Sequence, residues 1–303
     1  MSRLRNGVVR LLAVIGVSVA AATSLAGLSF GMAIVQKSGP AAVTKPGASA
    51  PGSKADLATA QGSSILTPTI SAPTVSKPRA DFAFPLGQTY VYGGQWRIFN
   101  AGTASLRMEK AGQENRIVAT ADAAGTVALL YHVKDKLESF FDPASFCSRS
   151  TSRHVEEGFR RVDTNITFDY AHRKAVFDQK NLKKNETKHE QHEIPGCVTD
   201  MLSAIYYVSS LPLEPGRTFS FPLNDGGESV VVNLHVEARE QIKTPAGTFN
   251  TVRTQPEAAT GLVRDKGKLW IWYTDDAAHV PVQMRARMNW GTLIFQLQRI
   301  DKK

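Results

Sequence analysis

Two neighbouring carboxylates stand between apolar runs in WIWYTDDAAHVPVQM, residues 270–284. Asp275 and Asp276 could act as a general acid and base, or as oxygen ligands to a hard cation. Adjacent residues seldom aim both carboxylates at one substrate, and Asp is favoured in turns because it accepts hydrogen bonds from nearby backbone N–H groups. Residues 269–273 read as a strand and 280–288 as its return. Pro281 restricts His279 and lacks a ladder donor. The pair is expected to form a hairpin corner.

KHEQHE, residues 188–193, is the next cluster of metal-capable groups. A zinc-protease helix would need its second histidine where this chain has Glu193. On a strand His189 and His192 face opposite sides, and the following IPG shortens any helix that could align them. A charged surface hairpin or loop is expected, without a metal. Asp276, His279 and His189 could build a hydrolase only if the fold brought them together. Ser203 reads as a packed or solvated helical residue. No Gly-x-Ser-x-Gly elbow, phosphate loop or dinucleotide fingerprint occurs. No catalytic residue, metal ligand or cofactor is therefore assigned. The only two cysteines, Cys147 and Cys197, are expected to pair, closing a 50-residue loop.

The elements that would position these groups begin after a long non-globular stretch. Arg3, Arg5 and Arg10 precede residues 11–35, a run of 25 residues without a charge. As a helix this run would reach roughly 37 Å, enough to cross a bilayer with tilt. Two readings stand: a retained transmembrane anchor, or a signal peptide cut after Ala22 or Ala26. In both the arginines stay on the cytoplasmic side and the rest is exported to the periplasm, tethered to the inner membrane or released. Residues 36–80, rich in Pro, Ala and Ser, read as a disordered linker spanning roughly 35 to 40 Å. The net charge of +9 is read as a solvated surface with a basic bias, not a nucleic-acid site.

From residue 81 to 303 the pattern turns to period two. Val232, Leu234, Val236 and Ala238 fall on one face of a strand, as do Val162, Thr164, Ile166, Phe168 and Tyr170 of another. Turn signals at 171–174, 224–227, 244–247 and 289–291 predict antiparallel hairpins. One segment differs: Thr199 or Asp200 caps a helix with Met201, Leu202, Ile205, Tyr206 and Val208 at helical spacing, stopped by Pro212. A single apolar helix among strands needs a concave sheet to bury it. The expected fold is mainly β, a strongly curved antiparallel sheet or open barrel of about ten strands enclosing one helix.

Four stretches stand out: GQTYVYGGQWRIFNAGTASLRM, DMLSAIYYVSSLPLEPG, REQIKTPAGTFNTVRTQP and WIWYTDDAAHVPVQMRARMNWGTLIFQL. Together they resemble one family, the bacterial exported proteins that carry the domain of unknown function numbered 3108. The resemblance implies an extracytoplasmic antiparallel β domain and brings no catalytic residues with it.

A curved sheet around an apolar helix can open to admit a lipid or other apolar molecule. Trp270, Trp272 and Tyr273 on a strand and Met201, Ile205 and Tyr206 on the helix are the candidates for such a lining, with Trp290 a further aromatic. The expected function is a non-enzymatic cell-envelope binding domain. The alternative is an assembly module that pairs with another envelope protein through a sheet edge.

Overall fold

The computed structural model describes residues 73–258, 267–288 and 291–302. The N-terminal run, most of the linker and Trp290 lie outside these residues. Fourteen strands form one antiparallel sheet. The first eight are β1 (Gln88–Trp96), β2 (Phe99–Ala111), β3 (Glu114–Ala123), β4 (Val133–Phe141), β5 (Ser148–Glu157), β6 (Arg160–Asp169), β7 (Lys174–Asn181) and β8 (Glu186–Glu193). The others are β9 (Thr218–Leu223), β10 (Val230–Thr244), β11 (Gly247–Ala258), β12 (Lys268–Thr274), β13 (Pro281–Met288) and β14 (Gly291–Lys302). Among the described residues two helices interrupt them, α1 (Gly125–Leu130) and α2 (Met201–Ser209).

The order across the sheet is β8-β7-β6-β5-β4-β3-β2-β1-β14-β13-β12-β11-β10-β9. Two meanders, β1–β8 and β9–β14, are thus joined where the first strand pairs with the last. The expected count of about ten strands is too low. KHEQHE, expected as a surface hairpin or loop, lies in β8, the outer strand of the β7–β8 hairpin. It is exposed or half-buried throughout, so no alternating face marks it. The second helix, α1, was also not expected.

The sheet is rolled but not closed. Its two edges, β8 and β9, do not pair with each other. Residues 198–200 span the gap instead: Ser148 N–H donates to Val198 O, and Thr199 N–H to Pro222 O. Arg153 on β5 pairs with Asp225 in the β9–β10 turn, and Gly226 in that turn lies against Ile166 and Phe177. Helix α2 sits inside this roll, in one core with Tyr90, Leu106, Phe141, Phe221 and Leu234.

The helix begins where its chemistry requires. Asp200, not Thr199, is the N-cap, and its carboxylate accepts from Leu202 N–H and Ser203 N–H. Ser203 reciprocates by accepting from Asp200 N–H at 2.9 Å, completing a capping box. The helix ends before Pro212, as its missing N–H demands. In β10, Val232, Leu234 and Val236 face α2, but a bulge between Val236 and Ala238 turns Ala238 to the opposite face. Likewise Tyr170 lies just beyond β6, and its hydroxyl donates to Ser148 O at 2.6 Å.

Candidate functional site

The polar candidates resolve into local structure. Asp276 accepts at one oxygen from Ala278 N–H, His279 N–H and the Thr274 hydroxyl, at 2.8 to 3.1 Å. Asp275 pairs with Arg239 at 2.8 Å. The two carboxylates hold the β12–β13 corner. His279, at φ 41°, donates Nδ1–H to Ser209 O at 2.9 Å. Burial pushes its pKa down, and the Arg79 guanidinium beside it acts the same way. His189 is elsewhere, on β8, paired with Asp178 at 2.7 Å. Asp276, His279 and His189 therefore do not form one cluster. Ser203 is fully buried, within reach of Ser148 Oγ and the Asp200 backbone. Among the described residues no group of three or more His, Cys, Asp or Glu is placed to hold a metal ion.

An apolar cavity of about 80 Å³ lies between α2 and the inner faces of β9–β14. One water needs roughly 10–15 Å³ of such space, so this cavity exceeds a packing defect. Met201, Ala204, Ile205 and Val208 form its helical wall, and Leu234, Ile271, Tyr273, Met284 and Phe295 part of its sheet wall. Period-two alternation explains the selection: Leu269, Ile271 and Tyr273 point in, whereas Trp270 and Trp272 point out. On the outer side Trp272 donates from Nε1 to Glu240 at 2.8 Å under the Arg285 guanidinium, and Arg287 covers Trp270. A strand cannot aim Trp272 and Tyr273 into the same space, which corrects the placement of both tryptophans.

Of the six lining candidates, the cavity brings together Met201, Ile205 and Tyr273. Tyr206 points away from it, fully buried and stacked on Tyr90 at 6.3 Å. Its hydroxyl has no partner among the described residues. The cavity wall holds one polar side chain, Tyr273, whose hydroxyl donates to Ile205 O at 3.1 Å. Burial pushes the Tyr273 and Tyr206 phenols far above their ordinary pKa. Nothing in this wall exchanges a proton near neutrality. Apart from the Tyr273 hydroxyl the wall is apolar throughout.

Fold and cavity define the class: an antiparallel β-roll packed around one apolar helix. The chain belongs to the family described as Protein of unknown function (DUF3108), whose model matches residues 90–298. No curated protein matches the sequence. Several solved structures are similar in part, among them these three. One is a beta-barrel-like protein of domain of unknown function DUF1849 from Brucella abortus, at 10% identity, covering 73% of this chain and 100% of that one, TM-score 0.46. A candidate lipoprotein from Parabacteroides distasonis matches at 11% identity over 76% and 100% of the two chains, TM-score 0.33. A candidate exported protein with a YmcC-like fold from Bacteroides fragilis matches at 10% identity over 73% and 98%, TM-score 0.33.

Proposed function

We propose that this is an exported cell-envelope protein whose β domain binds a lipid or other apolar molecule in the α2 cavity, without catalysing a reaction. The apolar wall between α2 and β9–β14 carries the reading. A void of this kind left empty would cost on the order of 2 kcal/mol, which an apolar occupant offsets. The arginines before the apolar N-terminal run and the disulfide between Cys147 and Cys197 support export to an oxidising compartment.

The test is uptake of a fluorescent fatty-acid analogue by the purified protein, with native mass spectrometry of protein taken from its own envelope. Wild type is expected to bind the probe or to carry a co-purified apolar ligand. Ala204→Leu, which fills the cavity from the helix side, should weaken probe binding about tenfold while keeping or raising thermal stability. An empty wild-type protein that takes up no probe would sink the proposal.

A further inference from the structure

The antiparallel register sorts the turns into two sets. Trp96 pairs with Leu293 and Gln88 with Lys302, and the alternation runs outward from this junction on both sides. The β1–β2, β3–β4, β5–β6, β7–β8 and β9–β10 connections therefore share one end of the sheet, the rim. The β2–β3, β4–β5, β6–β7, β10–β11 and β12–β13 turns share the other.

The two ends differ in chemistry. Tips on the rim carry Ile98, Leu129 and Phe159, which are 90%, 87% and 75% exposed, and Leu182 is exposed beside them. Turn tips are ordinarily polar, and four successive connections here each present a large apolar side chain. The opposite tips hold Gly112 and Gln113, Asp142, His172 and Arg173, and Asp275 and Asp276. Among the described residues none of the exposed large hydrophobics lies in those turns; Leu86 and Ile300 at that end sit beside or within strands.

The rim's apolar tips have basic neighbours. Arg97 precedes Ile98, Arg160 follows Phe159, and Lys183 and Lys184 follow Leu182. The Lys183 ammonium lies 5.2 Å from the Phe159 ring centre, so adjacent tips share one cluster. The nearby carboxylates are drawn inward or lie beside bases: Glu157 is buried 3.7 Å from Arg160, Asp225 pairs with buried Arg153, and Glu186 lies 3.9 Å from Lys184. Glu228 in the β9–β10 turn is the remaining acid of these tips.

We propose that the rim is a docking surface for an anionic lipid bilayer. A protein partner would meet a contiguous apolar patch of matching shape. Apolar tips on separate turns, three of the four beside a base, suit a soft surface that admits them one at a time and offers phosphates around them. The cavity opens no conflict with this: Leu223, Pro256, Leu269 and Ala286 in its wall all lie near the rim-side ends of their strands. Docking at the rim does not require the cavity to be occupied.

Full-length protein is labelled with an environment-sensitive dye at Ile98→Cys on the rim or Gln113→Cys at the opposite end. The native cysteines are joined, so the dye finds only the introduced thiol. Both proteins are mixed with vesicles of equimolar phosphatidylcholine and phosphatidylglycerol carrying brominated acyl chains. Any contribution of the N-terminal segment is common to the two. The dye at 98 should shift blue and be quenched, and the dye at 113 should not. Lys183→Gln with Lys184→Gln should lower the docked-to-free ratio about 25-fold, since each base near an anionic surface contributes roughly fivefold. Equal quenching at both positions, or none at 98, overturns the proposal. A blue shift at 98 that needs no vesicles and grows with protein concentration also overturns it, and assigns the rim to a second copy.

Discussion

At the scale of single residues, Asp135 is the buried acid with the most to reveal. It lies on the inner face of β4 and accepts Glu156 N–H at 2.9 Å through one oxygen. The other oxygen has no partner among the described residues. Burial pushes its pKa from 3.8 up to about 6. A raised carboxyl stabilises the fold fully below its unfolded pKa, and that contribution is lost as pH rises through the folded value. Asp135→Asn keeps the accepting oxygen and cannot ionise. Its stability relative to wild type should therefore climb between about pH 4 and 6, reaching a gain on the order of 1–3 kcal/mol at neutrality. Chemical denaturation at several pH values checks this, and a difference that stays flat would refute it. The Asp275–Asp276 corner was legible in the sequence because turn chemistry is local. The inward acid was not, because an Asp beside two lysines reads as surface until β4 is seen to bury the face it shares with Val133 and Leu137. Trp270 and Trp272 show the opposite error, in which aromatic character was read without the alternation that turns them outward.

At the scale of elements, α2 is held at its first turn by two separate devices. Asp200 caps the helix and also accepts the hydroxyls of Ser139 at 2.6 Å and Ser148 at 2.5 Å, tying it to β4 and β5. Asp200→Ala removes the cap, strands the buried Ser139 hydroxyl and leaves the Ser148 hydroxyl with Ser203 Oγ alone. We expect a loss of about 2–4 kcal/mol, read from denaturant midpoints, with Asp200→Asn costing less because it can still cap. The disulfide between Cys147 and Cys197 fastens the chain just ahead of this cap to the turn before β5, with Cα atoms 5.0 Å apart. Cys197→Ser should cost roughly 4 kcal/mol by loop entropy, and the double Cys→Ser variant no more than either single one. Additive losses in thermal melts would show that the thiols act separately. Cap and helix were readable because each is signalled within a short stretch of sequence, and the cysteine pair because an exported chain with two cysteines tends to join them. For β8 the sequence left hairpin and loop open, since an exposed edge strand needs no apolar face; the hairpin is what forms. The strand's charged side chains, Lys188 and three glutamates, also make it a poor template for pairing with another sheet. That weighs against assembly through this edge.

At the scale of the whole molecule, the decisive contact joins the two ends of the domain: β1 pairs with β14 and links the meanders into one sheet. No local pattern announces such a pairing, which is why both strand count and strand order escaped the sequence while fold class did not. Closing contacts this distant in the chain makes folding slow. It also makes the two meanders share a core, with Tyr92 on β1 and Leu297 on β14 both fully buried and paired in register. Tyr92 further donates its hydroxyl to Pro281 O on β13 at 2.8 Å. Leu297→Ala at this junction should cost about 2–5 kcal/mol. Because one core joins β1–β4 to β9–β14, while β6 and β7 pack in a smaller cluster of their own, the cost should appear across β1–β4 and β9–β14 together. Hydrogen exchange of the variant is expected to show β3 and β4, on the first meander, losing protection in step with β11 and β12. If the β9–β14 meander alone lost protection, the sheet would be two cooperative units sharing a seam. Leu297 would then stabilise only the second.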